Sequence, residues 1–359
     1  MKRMVLNYLV IATFVVSAAF TSCDKNDEDD LQNIGFDITD VTIITTVTDD
    51  SVELGALQKI LDGYIIQVID FDSEGNAWIG YQQGLIKYNA KETVLYDFSN
   101  SIISEGFWVW DLAIDKNDNV WIGFNDGLMG GLLKYDGRKF THYNSKNTAM
   151  PEDIVWDIEV DSQNNLWFAS CRFRQGGLVK YDGTKWTTYT PGNSYLPDNM
   201  INDIAIDQSD NVWLTVNDYL VKVSDDKWNV YDRDDLGLTN RIFAGIQFNS
   251  KNLLFGVIDH HLNGLIVLPP CELYNFDGKK STLLSKIDNI TSIPGQTKIV
   301  IDHNDYVWCY SLRSRCGVWI GDQWTQLDFS EFGVSIVEVI KEAPDGRIWF
   351  GTNNGIYIK

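Results

Sequence analysis

A few short stretches carry the residues able to recognise a ligand. Phe107, Trp108 and Trp110 lie close together, and Trp156 stands alone in a similar setting. Elsewhere come Asn125-Asp126, Arg172-Phe173-Arg174, Asn217-Asp218-Tyr219, Asp259-His260-His261, and Arg313 with Arg315. Ring faces stack on the C–H faces of sugars, while neighbouring amides, carboxylates and guanidinium groups take the polar bonds. The arginines with the His260-His261 pair would also suit anionic sugars or carboxylates. Two competing readings stand beside this one. Trp110 and Trp156 occupy matching positions of adjacent repeats, which also fits buried core, and Arg172 and Arg174 also fit a solvated loop.

Catalytic chemistry is poorly represented. The four histidines are 142, 260, 261 and 303, and two adjacent ones point oppositely in an extended segment, a poor metal site without a third ligand. No nucleophile elbow, phosphate loop or zinc-protease motif is present, so neither metal nor cofactor is expected. With 50 acidic against 29 basic residues the formal charge is −21, which repels phosphate backbones and argues against nucleic acid.

The elements that would position these residues are set by a repeat. Asp, three turn residues, a usually polar residue, an apolar residue and Trp recur as Asp72–Trp78, Asp115–Trp121, Asp161–Trp167, Asp207–Trp213 and Asp302–Trp308. The last copy starts at Ala343 and ends at Trp349, and a degenerate one runs from Asn249 to Phe255. The aromatic ends are 41 to 53 residues apart. Such a period marks a propeller or solenoid. An alternating strand precedes each Asp and a second follows at Trp, as in Val120-Trp-Ile-Gly123. A third, Gly131-Leu-Leu-Lys-Tyr135, is joined by Asp136-Gly137 to a fourth at Phe140–Tyr143. Four antiparallel strands per copy make one blade, and seven copies predict an all-β, seven-bladed β-propeller. The recurring Asp is expected to accept backbone N–H groups in its turn, and the Trp to fill the space between blades. Calcium binding by Asp115, Asn117 and Asp118, or by Asp161 and Asn164, is the alternative, weakened by the same chemistry recurring from blade to blade. Residues 241–290 are the least regular copy.

The final copy stops at a third strand, Gly355–Lys359. The orphan strand Asp40–Thr48 is expected to supply the missing fourth and close the ring, with residues 51–63 crossing to blade 1. The propeller is thereby assigned to residues 40–359. On this fold the second-to-third loops and the interblade connections share one face, where the variable residues above would gather at the mouth of the central channel.

The unit Asn119–Gly123, Gly131–Gly137, Phe140–Tyr143 resembles the two-component regulator propeller repeat, which builds periplasmic sensor domains of hybrid histidine kinases in Bacteroidetes. The resemblance spans about residues 64–359. No kinase or DNA-binding module follows here, so signalling by this chain is not implied.

The first residues point to export. Lys2-Arg3 and the apolar stretch Met4–Phe20 have the make-up of a signal peptide, residues 1–22. Phe20-Thr-Ser-Cys23 resembles a bacterial lipobox, implying lipidation of Cys23 and attachment to a membrane by the lipid alone. Residues 23–39 carry the acidic run Asp24–Asp30, which reads as a solvated tether and resembles that of surface-exposed outer-membrane lipoproteins of Bacteroidetes. Four cysteines remain, and Cys309 and Cys316 flank a hairpin loop, so they are the first candidates for a disulfide, with unbonded thiols the alternative.

Three functions are compatible with this reading. They are a non-catalytic surface lipoprotein binding a glycan or peptide on the variable-loop face, a scaffold holding an outer-membrane or sensory protein partner, and a propeller enzyme such as a polysaccharide lyase or glycosidase.

Overall fold

A computed structural model describes residues 35–37, 42–44 and 57–359, apart from 98, 104–105, 126–128, 173–174, 226, 239–240, 250–251, 260–269, 292–296, 312–315, 321–322, 328 and 330–331. Seven antiparallel sheets follow one another, each a blade with its first strand innermost. Blade 1 comprises Ile66–Phe71, Ala77–Tyr81, Gly84–Asn89 and Glu92–Tyr96, and blade 2 comprises Trp108–Ile114, Val120–Asn125, Gly130–Tyr135 and Lys139–Tyr143. Blades 3 and 4 begin at Val155–Val160 and Ile201–Ile206, blades 5 and 6 at Arg241–Phe248 and Thr297–Ile301, and blade 7 at Val337–Glu342. The irregular fifth copy is a full blade whose fourth strand, Ser281–Thr291, takes up the extra length. Its pairing with Pro270–Phe276 shifts register twice.

Each repeat carboxylate holds its own turn. Asp72 Oδ1 accepts from the Asn76 amide N–H at 2.8 Å, and Oδ2 accepts from the Trp78 indole Nε1 at 3.0 Å. The indole bond recurs from Trp121, Trp167, Trp213 and Trp308 to the Asp six residues earlier. The third turn residue lies in the left-handed region, as at Asp118 (φ 58°), Asn164 (φ 68°) and Gly75 (φ 79°). Asn, Asp and Gly tolerate that backbone best, which explains the sequence choice. This residue also reaches the neighbouring blade. Asp118 accepts from the Ser73 N–H at 2.9 Å, and Asn164 accepts from the Lys116 N–H at 2.7 Å. The polar side chains of these turns therefore tie blade to blade.

The core is a set of seams. The buried apolar residues of the described chain form seven clusters, each spanning two neighbouring blades. Trp78 lies 5.6 Å from Tyr135 of blade 2, and Trp213 lies 6.1 Å from Phe276 of blade 5, between ring centroids. Such pairs add directional attraction to the burial of large rings. Glycine after the Trp permits close approach. A Cβ on Gly351 would lie 2.5 Å from Val339 and 2.6 Å from Ile66, across the seam between blades 7 and 1.

Ring closure corrects one expectation. The outer strand of blade 7 is Gln58–Ile60, pairing with Ile356–Ile358, and not Asp40–Thr48. Within that earlier segment Thr42–Ile44 pairs instead with the outer strand of blade 1, and Gly35–Asp37 pairs with that of blade 2. The reason is the seam: Ile60 and Leu61 are 4% and 1% exposed and pack with Ile66, Ile79 and Trp349. Strand pattern alone favoured the longer β-branched run.

The disulfide expectation is also corrected, since Cys309 and Cys316 are buried and not joined to each other. Cys309 pairs with Gly317, which places Cys316 across from the next residue. Adjacent positions point to opposite faces of a sheet. Cys309 therefore packs in the seam with blade 5, and Cys316 in the seam with blade 7.

Candidate functional site

The innermost strands wall a central cavity of about 230 Å³, to which every blade contributes. In six of the seven blades a register shift interrupts the pairing of the first two strands near the start of the innermost one, as between Val109 and Asp111 or between Val155 and Ile158. A bulge re-aims side chains and leaves an N–H outside the ladder. The innermost strand is also a sheet edge, and carboxylates on the preceding blade accept from its inward-facing N–H groups. Asp111 Oδ2 accepts from the Ile158 N–H at 2.7 Å, and Asp203 Oδ2 accepts from the Ile246 N–H at 2.7 Å. Asp157 does the same for Ile204.

The cavity lining holds six carboxylates, Asp70, Asp111, Asp157, Glu159, Asp203 and Glu338, against two ammonium groups. Lys298 on blade 6 reaches Asp157 on blade 3 at 2.8 Å and also bonds Asp203 on blade 4. Lys341 bonds Asp70 at 2.8 Å. Burial, reinforced by Asp157, pushes the Asp111 carboxyl up to about 8, and the same causes bring Glu159 to about 8. Burial brings Asp203 to about 7 despite Lys298. Burial works against the Lys298 charge, yet Asp157, Asp203 and Asp111 hold its pKa well above the usual value.

These shifts set a pH profile. A carboxyl raised from about 4 to 7–8 on folding keeps a proton that the unfolded chain releases. Stability therefore falls as pH rises from about 4 towards 8. Turn carboxylates such as Asp182, lowered to about 2 chiefly by the Lys185 N–H, act oppositely, and their contribution is lost as pH falls through about 4 towards 2. Melting temperature should thus peak near pH 5 and decline to pH 8.5, and Glu159→Gln with Asp111→Asn should flatten the alkaline limb. A melting temperature constant or rising over that limb would show that these carboxyls ionise freely.

Above the carboxylates sit three indoles. Trp110 and Trp156 line the cavity with ring centroids 4.4 Å apart at 54°, and Trp108 is 6.2 Å from Trp110. Trp108 and Trp156 are 40% and 39% exposed, while other tryptophans of the repeat are 3–6% exposed. The core reading of Trp156 is thereby overturned, and Trp110 is only half-buried. Phe107, by contrast, is core, stacked on Phe124 at 4.9 Å. Asn125 pairs with Trp108 at the end of its strand and joins this group. Asp218 and Tyr219 lie apart, at the second-to-third turn of blade 4, where Asp218 bonds Arg233 at 2.8 Å. Asp126, Phe173, Arg174, His260, His261, Arg313, Arg315 and Cys23 lie outside the described residues, as does the side chain of Arg172. His142 bonds the Gly130 carbonyl at 2.9 Å and His303 bonds Glu342 of blade 7, both structural roles.

The carboxylates of the channel were not anticipated as a site. A signal existed: Asp111, Asp157 and Asp203 stand four residues before the repeat Asp in three consecutive copies. An acidic residue inside an apolar strand requires a partner or water.

The geometry defines a seven-bladed propeller with an aromatic mouth over an acidic channel. The two component regulator propeller family matches residues 330–354, so the chain carries that repeat in its last blade. No curated protein matches the sequence. The fold is similar to the extracellular domain of the putative one component system BT4673 from B. thetaiotaomicron, with TM-score 0.63 and 16% identity. That alignment covers 84% of this chain and 39% of that one, so the chain spans well under half of that relative. It is similar too to a catalytically inactive virginiamycin B lyase from Staphylococcus aureus with quinupristin (TM-score 0.62, 15% identity, 84% and 98% covered). A third is YCF48 bound to D1 peptide (TM-score 0.59, 12% identity, 84% and 93% covered).

Proposed function

We propose that this chain is a non-catalytic, exported lipoprotein, anchored through Cys23 at the cell surface, that binds a glycan or peptide on its variable-loop face. The observation that carries the reading is the indole group Trp108, Trp110 and Trp156, exposed at the channel mouth in a protein that buries its repeat tryptophans. Exposed clustered aromatics on a rigid ring mark a recognition surface. The opposite face is occupied by the turn-to-turn bonds of the repeat. Two supports come from proteins of the same fold, one an extracellular domain and one bound to a peptide. The lipobox-like Phe20–Cys23 and the acidic run behind it support surface attachment.

The test is a glycan array with a thermal-shift screen of glycans and peptides on residues 31–359. A ligand specific to the folded ring raises its melting temperature. Trp108→Ala and Trp156→Ala should each remove the shift while leaving the unliganded melting temperature nearly unchanged, because both rings are exposed. A ligand whose binding survives both substitutions would place the recognition surface elsewhere. For the anchor, Cys23→Ser should abolish incorporation of labelled fatty acid and release the protein from the membrane fraction.

A further inference from the structure

We propose that the acidic channel beneath the indoles receives a basic side chain, so that the ligand of this face is a peptide carrying lysine or arginine. This rests on the binding-face reading above and narrows it to one ligand chemistry. Three independent observations support it.

The first is charge. Six carboxylates and two ammonium groups line the channel, an excess of four negative charges when all are ionised. Part of that excess is held as protons on Asp111 and Glu159. An entering cation takes the place of those protons, and low-dielectric walls strengthen its attraction.

The second is depth. Asp111 and Asp157 follow Trp110 and Trp156 directly, and Glu159 lies two residues further in. At about 3.3 Å per residue, the carboxylates are spread over roughly 3 to 10 Å below the rings. Lysine carries its charge on a four-carbon stem and can reach them. The amine of a hexosamine is attached to its ring and cannot pass the indoles so easily. The channel already seats two ammonium groups on its carboxylates, Lys298 on Asp157 and Asp203 and Lys341 on Asp70.

The third is the mouth itself. Indole faces attract cations. Trp110 Nε1 and Gln67 Nε2, both on lining residues, are donors with no acceptor among the described residues. The Gln67 amide is oriented by the Val109 N–H, which its oxygen accepts at 3.1 Å. A peptide supplies carbonyl oxygens beside the basic side chain, the acceptor class that these two donors lack.

The probe is acetyl-Gly-Gly-Lys-Gly-Gly-amide, titrated calorimetrically into residues 31–359 at low salt, beside the same peptide with the lysine acetylated. The lysine peptide should bind at least about tenfold more tightly. Asp111→Asn with Glu159→Gln should reduce its affinity by about tenfold or more without loss of melting temperature, since the amide oxygen introduced by Asp111→Asn still accepts the Ile158 N–H. Glu159→Gln alone serves as the second variant if the pair folds poorly. Equal binding of the acetylated peptide, or undiminished binding by the amide variants, would overturn the proposal. A third arm compares chitosan tetramer with its N-acetylated form, and charge-dependent binding of the sugar without the peptide overturns the peptide assignment. A neutral ligand lost in Trp108→Ala but retained in the amide variants would leave the binding face standing and remove only the cationic ligand.

Discussion

A chain beginning at residue 62 should fail to fold, whereas one beginning at residue 50 should melt within a few degrees of the chain that starts at residue 31. The shorter chain loses Gln58–Ile60, the outer strand of blade 7, together with Leu61. Ile60 and Leu61 are almost wholly buried in the seam between the last blade and the first. Each such side chain contributes about 2–5 kcal/mol by comparison with large-to-small core substitutions. The three-residue ladder and the open edge it leaves add to that. Against a total stability of roughly 5–15 kcal/mol, the loss is decisive. Among the described residues, starting at residue 50 removes the short strands Gly35–Asp37 and Thr42–Ile44, which lie outside complete four-stranded blades. Circular dichroism melts of the two chains separate the cases. If the chain from residue 62 keeps a cooperative transition, Gln58–Leu61 does not close the ring. Were the chain from residue 50 the one to collapse, closure would belong to the earlier segment.

The second large effect concerns the repeat carboxylate. Asp115→Ala should lower stability by about 3–5 kcal/mol, because several buried donors lose their acceptor together. Asp115 accepts from the Asn117 and Asn119 N–H groups, from the Asn119 side chain and from the Trp121 indole, at 2.8–3.1 Å. At about 2–4 °C per kcal/mol, or somewhat less for a chain of this size, the melting temperature drops by roughly 6–15 °C. Blade 7 supplies the reverse experiment. There Ala343 replaces the Asp, and the Trp349 indole N–H is buried with no acceptor among the described residues. The turn is otherwise kept, with the Ala343 N–H donating to the Arg347 carbonyl at 2.8 Å. Ala343→Asp should therefore stabilise the protein by about 1–2 kcal/mol. A lysine beside the Trp is not required for this. Lys87 faces Trp78 in blade 1, but Val318 takes that place in blade 6, where Asp302 still accepts from Trp308 at 2.9 Å. Thermal melts of both variants decide it, and a neutral Asp115→Ala would mean that water satisfies the turn.

Much of this architecture could be read in the chain. The spacing from Asp to Trp and the Asn, Asp or Gly before the polar residue encode a turn whose donors and acceptor lie within seven residues. Local chemistry of that kind survives in any context, so blade number and strand order followed from it. The exposed indoles were half legible. Trp110 and Trp156 stand at matching positions, which is as true of a seam as of a channel wall, and only the bulge at the start of their own innermost strands turns them to the mouth.

What the amino-acid order by itself determined is each blade, because hydrogen bonds and alternation inside one repeat are short-range. What only the tertiary structure decided is which strand closes the ring, that two nearby thiols face different seams, and that carboxylates from five blades share one channel with Lys298 and Lys341. Those facts join residues up to 300 positions apart, Gln58 with Ile358, and nothing local in either stretch specifies the other. They are settled when the seven seams pack and the innermost strands are brought around one axis.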